Sequence, residues 1–308
     1  MSSTGKIYDV VIIGGGPAGM SAAIWSADLG LDALLVDGGR ELGGNLLNIY
    51  NPITNFPGLT TGNGREMRDA FEQQSRNTGI PMQMQCSVKR VDPARTAVEL
   101  TDGSTLQTSF VILATGVRRR KLGIPGEEQF AGRGILDSGS KSRDTLHDKV
   151  VVIVGGGDAA LENAAILAPV AKQVLLVHRG ARFTARNDIF RAASEQPNVQ
   201  IFKEHEMIAV NGQDVLKDVE IRDIATGKKK RFDVDNVIFR IGVEPNSELV
   251  RSTAETDARG YVVINSRCET SLPILFAIGD VASPAAPTIS SAIGQAATAV
   301  KVIRSRLR

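Results

Sequence analysis

The residues most suited to chemistry in this chain are small ones set at fixed spacing. In "VVIIGGGPAGMSAAIW", Gly14, Gly16 and Gly19 follow a continuous β-branched apolar run and open a stretch with helical apolar spacing. Gly14 permits a tight turn, Gly16 lets backbone N–H groups approach a pyrophosphate, and Gly19 lets the helix pack closely on the strand. The phosphate then rests on the helix N-terminus. Asp37 ends the second apolar run, "ALLVD", 18 residues after Gly19, where a carboxylate can accept hydrogen bonds from an adenosine ribose.

The same unit recurs. "KVVVIVGGGDAALENAAILAPVAKQVLLVHRG" again reads strand, glycine turn, helix, strand, with Gly155, Gly157 and Ala160 at the three small positions. Its second strand ends in His178 and Arg179 in place of an acid. An arginine there suits a ribose 2′-phosphate, which a carboxylate would repel. Two dinucleotide folds with different ligand preferences are therefore expected. Between them lie "FVILATG" (110–116), a strand ending in small residues, and "RRRKLGIPG" (118–126), with the proline and glycine of a crossover. "NVIFRIGVEPN" (236–246) reads as the return crossover. "LFAIGDV" (275–281) is a further buried strand ending in Asp280, followed by an apolar helix over about 289–303, and belongs with the N-terminal fold.

Composition agrees with two α/β domains. The chain has 308 residues, 42% hydrophobic and 23% charged, with 31 glycines for tight turns. Lys plus Arg at 36 against Asp plus Glu at 34 is no nucleic-acid footprint. The N-terminus lacks a separate apolar leader and no apolar run is long enough to span a membrane, so a cytoplasmic location is expected. Cys86 and Cys268, the two cysteines, match neither a disulfide framework nor a zinc site, and no metal is expected. "GKKKRF" (227–232) reads as an exposed turn. "RRRK" (118–121) reads as a solvated loop or, if functional, as a grip for a nucleotide phosphate or an acidic protein donor such as ferredoxin.

The motifs "GGGPAG", "GGNLLNIYNPITNFPG", "ILATG", "GGGDAALENA" and "FAIGD", in this order, resemble the low-molecular-weight thioredoxin reductase family over essentially the whole chain. The resemblance implies a discontinuous FAD domain (1–118 and 247–308) interrupted by an NAD(P)H-like domain (119–246), joined by a two-stranded hinge, in a homodimer. It implies FAD with its pyrophosphate at Gly14, Gly16 and Gly19, its adenosine ribose at Asp37, and its flavin beside Gly44, Asn45 and Asn55. Asp280 would hold the ribityl chain, Val88 would meet the adenine, and Thr115 with Gly116 would line the flavin side.

The departures from the family bear on function. Its redox Cys-x-x-Cys falls on Ser138 and Lys141 here, and a serine hydroxyl forms neither a disulfide nor a flavin–thiolate pair. "SGSK" then reads either as a polar turn capping the next element or as a device placing the Lys141 ammonium near the flavin. The family's second and third nucleotide-site arginines fall on Gly180 and Thr184, with Arg182 and Arg186 as possible substitutes. Asp158 brings a negative charge to the turn. Three functions stay open: an NAD(P)H-dependent flavin reductase of the ferredoxin–NADP reductase type, a diflavin oxidoreductase with a second FAD in the second pocket, and a non-catalytic flavin-binding sensor. A small redox protein or a thiol would be the partner.

Overall fold

The computed structural model describes residues 5–307. They form two compact units: one runs to Arg118 and resumes at Glu244, and the other is Arg119–Val243. Each is a Rossmann-like α/β unit. The return to the first unit falls at Glu244 rather than at 247, because this stretch bonds to the outgoing chain. Asn246 N donates to Gly116 O at 3.0 Å, its side chain donates to Thr115 O at 2.8 Å, and Arg118 pairs with Glu244 at 2.8 Å. The two crossings, Val117–Arg119 and Val243–Pro245, pair as a two-stranded sheet.

In the first unit, the strands Ile7–Ile13, Ala33–Val36 and Thr105–Leu113 lie parallel at the centre of a seven-stranded sheet, with Leu275–Ala277 added beside Thr105–Leu113. The continuous apolar runs follow from burial on both faces. Val10 and Ile12 face a core with Met20, Phe276, Ala296 and Val300, formed with the helices Pro17–Asp28 and Ile289–Arg306. Val11 and Ile13, one residue out of phase, face a second core with Leu34, Val111 and Val250.

In the second unit, Val199–Lys203, Gln173–His178, Val150–Gly155, Asn236–Arg240 and Ile135–Leu136 form a parallel sheet in that order. Val151 and Ile153 pack on Leu161 and Ala164 of the helix Asp158–Leu167. Val152 and Val154 pack on Met207, Val219 and Ile221 of a three-stranded antiparallel sheet. "GKKKRF" is more than a turn: Lys229–Asp233 is the outer strand of that small sheet, paired with Leu216–Asp223. The reversal is made by residues 224–228, with Thr226 N donating to Asp223 at 2.8 Å and Gly227 at φ 70°. Lysines suit a sheet edge, because they discourage further strand pairing.

The first glycine turn admits no side chain at its closest point. A Cβ at Gly19 would stand 1.8 Å from the Gly14 carbonyl oxygen, a backbone atom that has no rotamer by which to retreat. Gly19→Ala is expected to cost about 3 kcal/mol, the upper end for overpacking, read as a lower urea midpoint with unchanged slope; an unchanged midpoint would show that the turn can relax.

Candidate functional site

The first unit holds a cavity of about 610 Å³ around the carboxyl ends of its parallel strands. Its floor is the turn Gly14–Ala18. Gly14 has φ 112°, and a Cβ there would meet Ala114 O at 2.4 Å, so both conformation and packing require glycine. Gly16 is different: a Cβ on it would meet nothing nearer than 3.9 Å, so its open face is the cradle. Gly19 lies behind the cavity as a packing contact, not in its wall.

Asp37 stands at the end of Ala33–Val36 and lines the cavity, yet its carboxylate already has work within the fold. Gly15 N donates to Oδ2 at 2.5 Å and Gly39 N to Oδ1 at 2.6 Å. Asp37 therefore ties the glycine turn to the loop after the second strand and offers its remaining lone pairs to the cavity. Val88 lines the same space, with Cys86 and Ser87.

Gly44, Asn45, Thr115 and Gly116 line the wall farther along. Asn45 Nδ2 donates to Val117 O at 2.9 Å, and Thr115 Oγ1 to Asn246 O at 2.7 Å. Asn55 does not reach the cavity; it is exposed on the loop carrying Ile53, whose bridge to Thr61 and packing on Leu46 and Met67 turn that loop away. Phe56 likewise packs edge-on against Phe71, with ring centroids 5.8 Å apart. Sequence reasoning missed Asn246, Glu248 and the start of the last helix, Thr288 and Ile289, all in the wall. Thr288 was visible as a cap preceding an apolar run; its hydroxyl accepts from Ser291 N at 3.1 Å. This helix directs its positive end at the cavity.

Asp280, in the turn Gly279–Val281, completes the lining. Burial pushes its carboxyl above the usual range, and among the described residues nothing donates a hydrogen bond to it. A half-buried carboxyl with no protein partner is a group awaiting a ligand donor.

"RRRK" is exposed, as expected of a solvated run, but each of its side chains has a partner. Arg118 pairs with Glu244 at 2.8 Å and Glu248 at 2.5 Å, Arg119 donates to Asp137 O, Arg120 donates to Val243 O at 3.1 Å, and Lys121 pairs with Glu128 at 2.9 Å. The run fastens the strand Val117–Arg119 and the segment after it.

In the second unit, Gly155 at φ 153° lies so close to the next strand that a Cβ would meet Arg240 O at 2.2 Å. The Ala160 methyl at the third position stands 2.9 Å from where that Cβ would be, a second reason for glycine at 155. Gly157 caps the helix Asp158–Leu167. His178 lies across Gly156, accompanied by Phe183 at 4.7 Å in a stacked pair. The segment after His178 folds back onto the turn: Thr184 N donates to Gly156 O at 2.8 Å, Arg186 N to Asp158 Oδ1 at 2.8 Å, and the Arg186 guanidinium pairs with Asp158 at 3.2 Å. Arg186 thus neutralises the misplaced acid. Arg179 is exposed at the strand end.

Ser138 is buried and caps the short helix Gly139–Ser142, its hydroxyl accepting from Lys141 N at 3.5 Å. This is the capping turn. Ser138 and Lys141 belong to the second unit, whereas the cavity wall comes wholly from the first. The two cysteines are free, and burial raises both thiols, Cys268 to about 11.

A family model described as pyridine nucleotide-disulphide oxidoreductase matches residues 8–301. The chain belongs to that family. Within it, the chain is 35% identical over 285 residues to a thioredoxin reductase of Mycolicibacterium smegmatis, covering 91% of this chain and 90% of that protein. Among solved structures it is similar to a thioredoxin reductase of Lactococcus lactis, with TM-score 0.85, 28% identity, and 97% and 98% of the two chains covered. A thioredoxin reductase of T. acidophilum follows at TM-score 0.83 and 26% identity, with 97% and 98% covered. The protein is thus a thioredoxin reductase-like oxidoreductase of this family. Among the described residues no helix is long and apolar enough to cross a membrane, and no cluster of His, Cys, Asp or Glu could hold a metal.

Asp280 yields a test that needs no turnover. In the ligand-free protein burial raises its pKa above the unfolded value, so the stability linked to it is full below about pH 4 and is lost as pH rises through the raised folded value. Asp280→Asn is expected to flatten that part of the stability–pH curve while weakening FAD binding by about tenfold or more. Equal FAD affinity in the variant, by fluorescence titration, would remove Asp280 from the site.

Proposed function

We propose that the chain is an FAD-dependent oxidoreductase that does not reduce thioredoxin through a dithiol, and that its second unit takes a dinucleotide without gripping a 2′-phosphate as NADPH sites do. The carrying observation is the cavity of the first unit: an open glycine cradle at Gly16, an acid at Asp37 and, at Asp280, a half-buried carboxyl with no donor among the described residues share one wall. These features fit FAD. Gly16 and its neighbours would meet the pyrophosphate, Asp37 the adenosine ribose, Val88 the adenine and Asp280 the ribityl hydroxyls. Bound FAD supplies one- and two-electron transfer. Gly44, Asn45, Thr115 and Gly116 would border the ring, and the positive end of the helix Ile289–Arg306 would favour negative charge on the side it faces.

The loss of the dithiol rests on chemistry. Ser138 serves as a helix cap, and the only thiols are held in the protonated form, Cys268 in the core beside the Gln295 carbonyl. This reading departs from the thioredoxin reductases that the chain is similar to. For the second unit, Gly180 and Thr184 supply no cation, and Arg186 is engaged with Asp158. This shortage of cations favours a dinucleotide without a 2′-phosphate, such as a second FAD, over NADPH. An NAD(P)H-dependent flavin reductase is the competing reading, supported by the exposed Arg179. A homodimer, and a small redox protein or thiol as partner, complete the proposal.

The purified protein is expected to be yellow, to fail in a thioredoxin-coupled assay, and to bleach slowly or not at all with NADPH under anaerobic conditions. Two flavins per chain would favour the diflavin reading. Rapid stoichiometric bleaching at one flavin per chain would establish the NAD(P)H reductase instead, and one flavin with no response to NADPH, ferredoxin or thiols would leave a sensor.

A further inference from the structure

Arg240 ends the strand Asn236–Arg240 and pairs in register with Gly155, so its backbone stands directly beside the second glycine turn. The carboxyl edge of such a parallel sheet is where ligands of this fold bind. Its guanidinium turns toward the segment before the helix Gly139–Ser142: Nη2 donates to Asp137 O at 2.7 Å and to Asn163 Oδ1 at 3.4 Å, and Nη1 donates to Phe239 O at 3.0 Å. Arg119 Nη1 donates to the same Asp137 carbonyl oxygen. Two guanidinium groups thus converge on one neutral acceptor.

Among the described residues neither arginine has a carboxylate within 4.0 Å. The exposed Asp137 side chain attracts Arg240 only from farther off, while burial and the charge of Arg119 bring the Arg240 guanidinium down to about 10. Carbonyl oxygens satisfy donors without neutralising charge, and a half-buried cation held this way is costly unless an anion joins it. Donor capacity remains: a guanidinium carries five N–H groups, and the hydrogen bonds just named use one on Arg119. Two adjacent cations match a doubly charged phosphate or pyrophosphate better than a single carboxylate.

We propose that Arg119 and Arg240 form a phosphate-binding site at the edge of the second glycine turn. The cations missing from the His178–Arg179 corner, at Gly180 and Thr184, are offset by cations at the strand edge. The site would then select a dinucleotide by its pyrophosphate, with no reward for a 2′-phosphate. That last consequence rests on the reading that the second unit binds a dinucleotide; the phosphate site itself does not.

The test is a thermal-shift titration of the flavin-loaded protein with sodium phosphate against sodium chloride at matched ionic strength, and separately with ADP-ribose, with flavin content measured on each sample. Stabilisation beyond that of chloride is expected, with half-saturation raised about tenfold or more in Arg119→Gln and in Arg240→Gln. A response to both ligands identifies a site that takes free phosphate, and a response to ADP-ribose alone identifies the phosphate of a dinucleotide. Absence of stabilisation by either, or wild-type half-saturation in Arg119→Gln, would overturn the site. Arg119 is exposed, so its variant carries the test even if Arg240→Gln fails to fold. Colourless protein would count against the FAD reading while leaving the phosphate titration readable.

Discussion

The contact between Gly19 and the Gly14 carbonyl, too close to admit a single methyl group, sets the geometry of the first unit. It draws the helix Pro17–Asp28 against the strand Ile7–Ile13, so that the turn between them exposes backbone N–H groups instead of side chains. Asp37 secures that turn from the adjacent strand through Gly15 N, and so links the ends of two parallel strands before any ligand arrives. Uncommitted N–H groups at a helix N-terminus are an anion site by construction. The cavity exists because the closest-packed point of the sheet lies immediately behind its most open one.

The second unit repeats this construction with one substitution and a different distribution of charge. Ala160 takes the place that Gly19 has in the first turn, and its methyl stands 2.9 Å from where a Cβ on Gly155 would be, so here it is Gly155 that must lack a side chain. Around the turn, the Asp158–Arg186 pair and the bonds from Thr184 and Ala185 to Gly156 O fasten the segment after His178 to the turn itself. The charge lost at Gly180 and Thr184 is therefore not simply replaced by Arg186. The pairing also answers the repulsion that an acid at a helix N-terminus would otherwise present to a phosphate.

The first unit depends equally on an unbalanced group. Asp280 is half-buried with no donor among the described residues, a cost that the folded chain sustains through the strand Leu275–Ala277 and the helix Ile289–Arg306. Sites in which a polar group is kept unsatisfied trade stability for binding. Nearby, the Arg118–Glu244–Glu248 network uses charges that look like a solvated run in the sequence to fix the chain where it leaves and re-enters the unit.

Sequence by itself determined the repeated strand–turn–helix units, the small residues of both turns, the acids at Asp37 and Asp280 and the residue types at Ser138 and Lys141, because each depends on local spacing or on residue type alone. Gly14 and Gly19 were legible since only glycine meets their backbone and contact demands. Tertiary structure decided the rest, because it depends on which distant segments meet. Asn55 left the wall when Ile53 packed on Leu46 and Met67. Lys229 and Lys230 became the edge of a sheet when Leu216–Asp223 lay beside them. Asn246 and Glu248 entered the wall from more than a hundred residues beyond Thr115. The convergence of Arg119 and Arg240 on one carbonyl has no signature in periodicity, since a side chain's partner across a sheet is set by strand order and not by its neighbours in the chain.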